Sequence, residues 1–268
     1  MKKALQVIQS NLQYEKSASD DQKNLRTSQL WEFIHLIQSS KLSASPTAVA
    51  ELYENTFACS PLCSDMLYIS QYLAPSPDMP EAKLSAGQRI ACMTNPLSLT
   101  AMKKLTVDMP EAMVISQADF RSACECLASD QADFCILPLC SSVDGYFSAF
   151  FKYLRSYDLK INKTVRVTKA DGDEEVLFAL VSKSIFMRKG ADCALISFVG
   201  DSPDDFSQLV CAFSDSSFKI VGANSAPLEY NMDKLWHRVE IRLSKEKAHV
   251  LLFFLEAALP GYTLLGLY

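Results

Sequence analysis

The chain has 268 residues, 49% hydrophobic and 21% charged, with a formal net charge of −5 and a pI near 5.3. That length and apolar content fill one large core or two to three small ones. No basic stripe is present, which argues against nucleic-acid binding, and no apolar run approaches the roughly twenty residues a membrane helix needs.

The opening, MKKALQVIQSNLQYEKS, has neither a long apolar core nor a small-residue cleavage site, so it does not read as a secretory signal. The nine cysteines are an odd number without paired CxxC spacing; Cys59 and Cys63, or Cys124 and Cys126, do not make a metal or disulfide framework. They read as small apolar residues of a cytoplasmic protein. No metal and no cofactor are expected. His35, His237 and His249 are scattered and suggest neither a shared metal nor a catalytic pair.

Residues 1–74 read as helical. Leu30, Phe33, Ile34 and Ile37 form one apolar stripe, and Val49, Leu52, Tyr53 and Thr56 or Phe57 a second, started by Ser45-Pro46. Leu62, Met66, Ile69 and Leu73 form a third after Pro61, enough for a small helical bundle. Residues 75–87, rich in Pro, Ser and Ala, read as a linker.

Residues 88–186 alternate in period. RIACM, AMVIS and DFCILPL read as strands; LTAMKKL, DFRSACECLAS and GYFSAFFKYLRSY read as helices between and after them. INKTVRVTK and EEVLFALVSKS close the region, joined by the polar turn KADGDEE. Such alternation implies an α/β lobe with a partly parallel sheet. So short a turn joins only neighbouring strands, which places EEVLFALVSKS in the same sheet as RIACM. Residues 187–268 switch period again: ADCALISFVG, a helix with Phe206, Leu209, Val210 and Phe213 aligned, FKIVGA, a strand with Val239, Ile241 and Leu243 on one face, a helix containing VLLFFL, and TLLGLY. That order is a split βαβ unit repeated once, a ferredoxin-like βαββαβ module.

The last module resembles an ACT domain, and its Leu-Leu-Gly-Leu-Tyr ending resembles the Leu-Gly-Ser-Tyr ending of prephenate dehydratases. Gln117-Ala-Asp-Phe-Arg-Ser-Ala and Ala132-Asp-Phe-Cys-Ile-Leu-Pro-Leu-Cys-Ser-Ser-Val-Asp-Gly145 resemble that family's helix, its Pro-Ile-Glu-Asn-Ser strand and the glycine that follows. Ser142 and Gly145 match, whereas Cys140 stands in place of Glu and Ser141 in place of Asn. Thr94-Asn-Pro-Leu-Ser-Leu-Thr100 stands against Gly-Pro-x-Gly-Thr-Phe-Ser, keeping hydroxyls at Ser98 and Thr100 but neither glycine. The family's second lobe and its Thr-Arg return are absent; KADGDEE leads directly to Val176-Leu177-Phe178. The helical region resembles a chorismate mutase domain, with Arg26 kept, Thr27 in place of Glu and Ser64 in place of the catalytic Gln.

The resemblance implies a multidomain α+β chain: a helical, chorismate mutase-like domain (1–74), one α/β lobe of a prephenate dehydratase-like fold (88–186) and an ACT-like regulatory domain (187–268). It marks Arg26, Ser98, Thr100, Ser141 and Ser142 as remnants of catalytic sites, with Lys2, Lys3 and Lys16 as further cations near Arg26. Both substrates are dicarboxylates that need several fixed cations, and one arginine is a thin basis for the mutase reaction. The hydroxyls equally suit strand ends and helix caps. For the regulatory site it implies Asn224, Ser225 and Pro227 as a degenerate ligand strand, while Asp204 and Asp205 replace a Gly-containing turn and repel an amino-acid carboxylate. Phe206 there would occupy the space of a phenyl ring.

Three functions remain open on the sequence. One is a catalytically eroded relative that regulates or associates within phenylalanine biosynthesis, as a homo-oligomer or beside a related enzyme. Another is an active mutase or dehydratase completed by a partner subunit. The third is a sensor for another small aromatic or dicarboxylate ligand. VLLFFL is more apolar than one buried face requires, which favours pairing through the last module.

Overall fold

Side-chain caps set several of the helix boundaries in the computed structural model, which describes residues 19–40, 45–75, 86–109, 111–169, 172–186, 191–200, 203–214, 216–228, 231–243 and 247–268. Lys2, Lys3 and Lys16 lie outside the described residues. Helix α1 spans Ser19–Gln38. Ser45 accepts from the Ala48 amide to open α2 (Pro46–Phe57), whose first residue needs no amide donor; the helix ends at Ala58 in the left-handed region. Helix α3 covers Ser64–Leu73. Asn95 likewise accepts from the Ser98 amide at 2.8 Å and opens α4, Pro96–Leu105. The helix expected over LTAMKKL therefore starts three residues earlier, because Asn95-Pro96 is a start signal that a Gly-rich turn would lack.

By contact the chain forms two compact units, residues 1–78 with 196–263, and 79–195 with 264–268. The three consecutive segments read from the sequence therefore regroup: the N-terminal helices belong with most of the C-terminal module, and that module's last strand belongs with the α/β region.

In the α/β unit, β1 (Arg89–Met93) lies between β2 (Met113–Gln117) and β3 (Phe134–Ser141), all three parallel. A two-residue strand β4 (Gly145–Tyr146) folds back on β3, with Gly145 at φ +70° making the turn. Strand β5 (Lys160–Thr168) and β6 (Glu175–Ser182) form an antiparallel hairpin, and β6 pairs antiparallel with β3. The order is β2-β1-β3-β6-β5-β10, with β10 spanning Thr263–Leu267. The strand read from EEVLFALVSKS thus lies in the same sheet as RIACM, one strand removed.

Both faces of this sheet are covered. Ile90, Cys92, Phe134, Ile136, Phe178 and Leu180 point to one side, where they pack with Ala101 and Leu105 of α4. The alternate residues Ala91, Cys135 and Leu137 are equally buried on the side of α5 (Phe120–Ala128) and α6 (Ser148–Ser156). This two-sided burial is why FCILPL is a continuous apolar run instead of an alternating one. The Cys135 thiol lies beside Cys124, and burial pushes its pKa well above the usual thiol value. Cys92 rises to about 11 for the same reason. Five cysteines are buried as expected, while Cys59 and Cys211 are exposed.

In the other unit, strands β7 (Cys193–Gly200), β8 (Lys219–Leu228) and β9 (Asn231–Arg242) run in the order β7-β9-β8, with helices α7 (Pro203–Phe213) and α8 (Ala248–Ala258). Phe254 of α8 is fully buried and its ring meets Phe213 of α7 at 5.6 Å. Helices α2 and α3 pack on α8, and α3 also packs on α7. The apolar excess of VLLFFL is thereby covered within the chain: only Leu252 of the six residues is even half-exposed. The surplus that favoured an external partner is accounted for by the N-terminal helices.

Two stability experiments follow. Gly266 lies opposite Ile161 on β5, and a Cβ there would come within 2.7 Å of the Ile161 Cβ and 2.8 Å of its carbonyl oxygen. Gly266→Ala should cost about 1–3 kcal/mol in denaturant unfolding, because backbone cannot yield as a flexible side chain can. Arg89 donates to Asp133 at 2.9 Å, and that hydrogen bond holds the Asp133 carboxyl below its ordinary value. Its stabilisation is complete above the unfolded-state pKa, about 3.9, and is lost as pH falls through the lower folded value. The stability gap between wild type and Asp133→Asn should therefore close on acidification; a gap that widens would contradict the pairing.

Candidate functional site

In the helical unit, Arg26 of α1 lies over the Phe57 ring, 4.4 Å from its centroid. Its Nε and Nη2 donate to Asp65 Oδ2 at 2.9 and 2.5 Å. Tyr53 Oη donates to the same oxygen at 3.0 Å and accepts from Arg26 Nη2 at 3.1 Å. The Cys63 thiol donates to Tyr53 Oη at 3.3 Å. Burial pushes both the Tyr53 hydroxyl and the Cys63 thiol up, so both stay protonated as donors. The arginine and aspartate side chains are about a quarter exposed. Asp65 therefore neutralises the cation that a dicarboxylate would need.

A cavity of 380 Å³ opens beside this pair, lined by α1, α3 and the end of α7. Arg26, Thr27 and Ser64, which the sequence reading compared with mutase residues, all line it. Thr27 donates its hydroxyl to the Lys23 carbonyl within α1, at 2.8 Å. The sequence reading did not mark Asp65 or Lys23, and took Tyr53 as part of an apolar stripe. The available signal was an acid in the first turn of a helix directly after Ser64, the usual place to meet a cation from a neighbouring helix.

In the α/β unit, the other residues marked by the sequence reading, Ser98, Thr100, Ser141 and Ser142, lie beyond or at the carboxyl ends of β1 and β3. The hydroxyls of Thr94, just after β1, and Ser116, near the end of β2, meet at 3.3 Å. Ser98 is fully buried against the core, and among the described residues its hydroxyl has no hydrogen-bond partner. Thr100 bonds back to the Pro96 carbonyl at 2.8 Å. Ser141 accepts from the Asp144 amide at 2.8 Å. Ser142 Oγ accepts from the Glu175 amide at 3.0 Å, and the Ser142 amide donates to the Glu175 carbonyl at 2.8 Å. Three of the four hydroxyls thus satisfy backbone groups of their own turns or neighbours. The register sets Cys140 opposite Leu177 and Ser141 opposite Val176. The residues that differ from the resembled pattern, Cys140-Ser141 and Val176-Leu177, meet across adjacent strands.

On the C-terminal module, Ser225 lies opposite His237, and its hydroxyl meets Nδ1 at 2.8 Å. His237 is 2% exposed and its ring stacks on Phe198 and Phe206, with centroids 4.9 and 5.7 Å away. Asn224 and Pro227 are exposed on the same strand. The sequence reading took His237 only as one of three scattered histidines, although its two-residue spacing from Val239 and Ile241 placed it on their buried face.

No protein-family model matches the sequence, and no curated protein matches it. Among solved structures, prephenate dehydratase from Streptococcus mutans superposes with a TM-score of 0.57 at 15% identity, over 68% of this chain and 97% of that one. Prephenate dehydratase from Arthrobacter aurescens, solved with L-Phe, gives 0.51 at 13% identity over 66% and 89%. GqqA, described as a novel type of quorum-quenching acylase, gives 0.53 at 14% identity over 67% and 94%. The chain has a mixed α/β fold like that of prephenate dehydratases. At these identities the likeness concerns the fold.

The ion pair makes its own prediction. Asp65→Asn leaves a half-buried guanidinium without its counter-charge and should cost about 1–3 kcal/mol by urea unfolding. Asp65→Asn combined with Arg26→Met should recover part of the loss, since both partners are then removed.

Proposed function

We propose that this chain is a shortened relative of the bifunctional chorismate mutase/prephenate dehydratases that no longer catalyses either reaction and acts by regulation or association in phenylalanine biosynthesis. In this reading residues 1–74 descend from the mutase, 88–186 from one dehydratase lobe and 187–268 from the ACT domain. The observation that carries it is the facing of Cys140-Ser141 and Val176-Leu177 on β3 and β6. There the dehydratase pattern needs a Glu-Asn pair and a Thr-Arg pair to hold the carboxylates and help the hydroxyl leave. The pairing of Arg26 with Asp65 supports the same conclusion for the mutase half. All nine cysteines are free thiols, which suits a cytoplasmic setting.

Purified protein should consume neither chorismate nor prephenate. Each missing electrostatic contact typically costs on the order of a hundredfold in rate, and several are missing together. Prephenate loss followed in the ultraviolet, and abolished by Ser98→Ala in a folded protein, would overturn this reading.

Association with a second copy is the partner reading we favour. Strand β8 is the end strand of its sheet and exposes Val221, and such edges favour pairing. Light scattering should show a dimer that Val221→Lys weakens. Added phenylalanine should leave the mass unchanged, because Phe206 already stacks on His237 and Asp204 is exposed at the helix start. A monomer at high concentration removes the pairing, and a phenylalanine-dependent mass removes the degenerate-site reading.

A further inference from the structure

We infer that Ser225 and His237 act as nucleophile and general base in the hydrolysis of small aryl esters, an activity separate from the two reactions and the regulatory role discussed above. Strand register sets the pair. Ser225 on β8 stands directly opposite His237 on β9, and opposite residues of antiparallel strands hold their Cβ atoms about 4.5–5.5 Å apart. A bulge between Ile220 and Gly222 fixes that register. Without its extra residue, Val221, Asn224 would face His237.

The two partners differ in access to water. Strand β8 is the end strand of its sheet, and Ser225 is exposed. Among the described residues its hydroxyl has one hydrogen bond, the 2.8 Å contact with Nδ1. His237 is buried, its ring stacked at 29° on Phe198 of β7 and at 9° on Phe206 of α7. Two rings from different elements fix the imidazole plane, so Nδ1 stays aimed at the hydroxyl. Their faces also favour the positive charge that the imidazole takes up during the reaction. Thr100 and Ser141 bond to backbone groups, as hydroxyls that finish turns do; Ser225 instead gives its hydroxyl to a base.

In this role Nδ1 is the acceptor and the ring proton sits on Nε2. Ser225 Oγ attacks the ester carbonyl while its proton passes to Nδ1. The bond from the carbonyl carbon to the aryl oxygen breaks, and the phenol leaves with that proton. Water then attacks the acyl-serine and gives a proton to Nδ1, and Ser225 Oγ takes it back as the carboxylic acid departs. One ester and one water give one acid and one phenol, with no change of oxidation state. The nucleophile is exposed and the half-buried Phe206 stands beside its base. That setting suits a short acyl chain with an apolar, easily expelled leaving group.

The test is hydrolysis of 4-nitrophenyl acetate by the full chain, with the acetylated residue located by peptide mass spectrometry. Nitrophenol release should begin with a burst of one equivalent per chain, and the acetyl group should sit on Ser225. Ser225→Ala, at an exposed position, should remove the burst and lower the rate by about a hundredfold or more. A fluorophosphonate should label Ser225 in the wild type and fail to label His237→Phe, which keeps an aromatic ring in the stack. If His237→Phe does not fold, Ser225→Ala and the position of the acetyl group decide alone. Equal rates in wild type and Ser225→Ala, or an acetyl group carried by cysteine or lysine and not by Ser225, overturn the inference. The chorismate and prephenate assays report separately, since neither outcome there depends on these two residues.

Discussion

Between Thr168 and Glu175 the chain has six residues in which to reverse direction. The Lys169 amide bonds the Glu174 carbonyl at 2.8 Å, and the Gly172 amide bonds the Lys169 carbonyl at 2.9 Å, closing the turn. A connection that short joins only adjacent antiparallel strands. With β6 held against β5, its other edge pairs with β3, and the sheet order follows. The same pairing brings Val176-Leu177 beside Cys140-Ser141. One hairpin therefore governs both the architecture of the α/β unit and which residues meet at the strand ends where the resemblance would place chemistry.

The helical unit depends on a different economy of surface. Helix α8 is apolar nearly all round, which in a two-layer module leaves one face exposed to water. Here α2 and α3 cover that face, and Arg26, Tyr53, Cys63 and Asp65 close the end of the helical packing with a linked set of hydrogen bonds. The ion pair is compatible with an apolar surrounding because each charge has several partners. It also consumes the arginine that the sequence singled out for anion binding.

Much of this was legible residue by residue. Ser45-Pro46 is a start signal with a local mechanism, and α2 begins there; Asn95-Pro96 is another, which the reading of LTAMKKL as the helix left unused. The alternation over residues 88–186 gave strands and helices in the right order, and FCILPL declared a strand buried on both sides. The roles of hydroxyls were not legible. Ser98, Thr100, Ser141 and Ser142 look alike in sequence, yet one is fully buried and the others bond to backbone groups selected by the surrounding turns. Which atom a short hydroxyl reaches depends on ångström-scale placement that local pattern does not encode.

What the sequence by itself determined was everything carried by periodicity, capping and turn length: the elements, their order, the hairpin at residues 169–175 and the α/β character of the middle region. These depend on interactions within a few residues or on the hydrophobic repeat of one element. What only the tertiary structure decided was long-range pairing: that Asp65 takes Arg26 across thirty-nine positions, that Ser225 meets a buried His237, and that the N-terminal helices cover α8. The physical reason is that partner choice between distant segments is settled by burial and charge compensation over the whole fold, where several candidates of the same residue type compete and only one arrangement buries the apolar faces without stranding a charge.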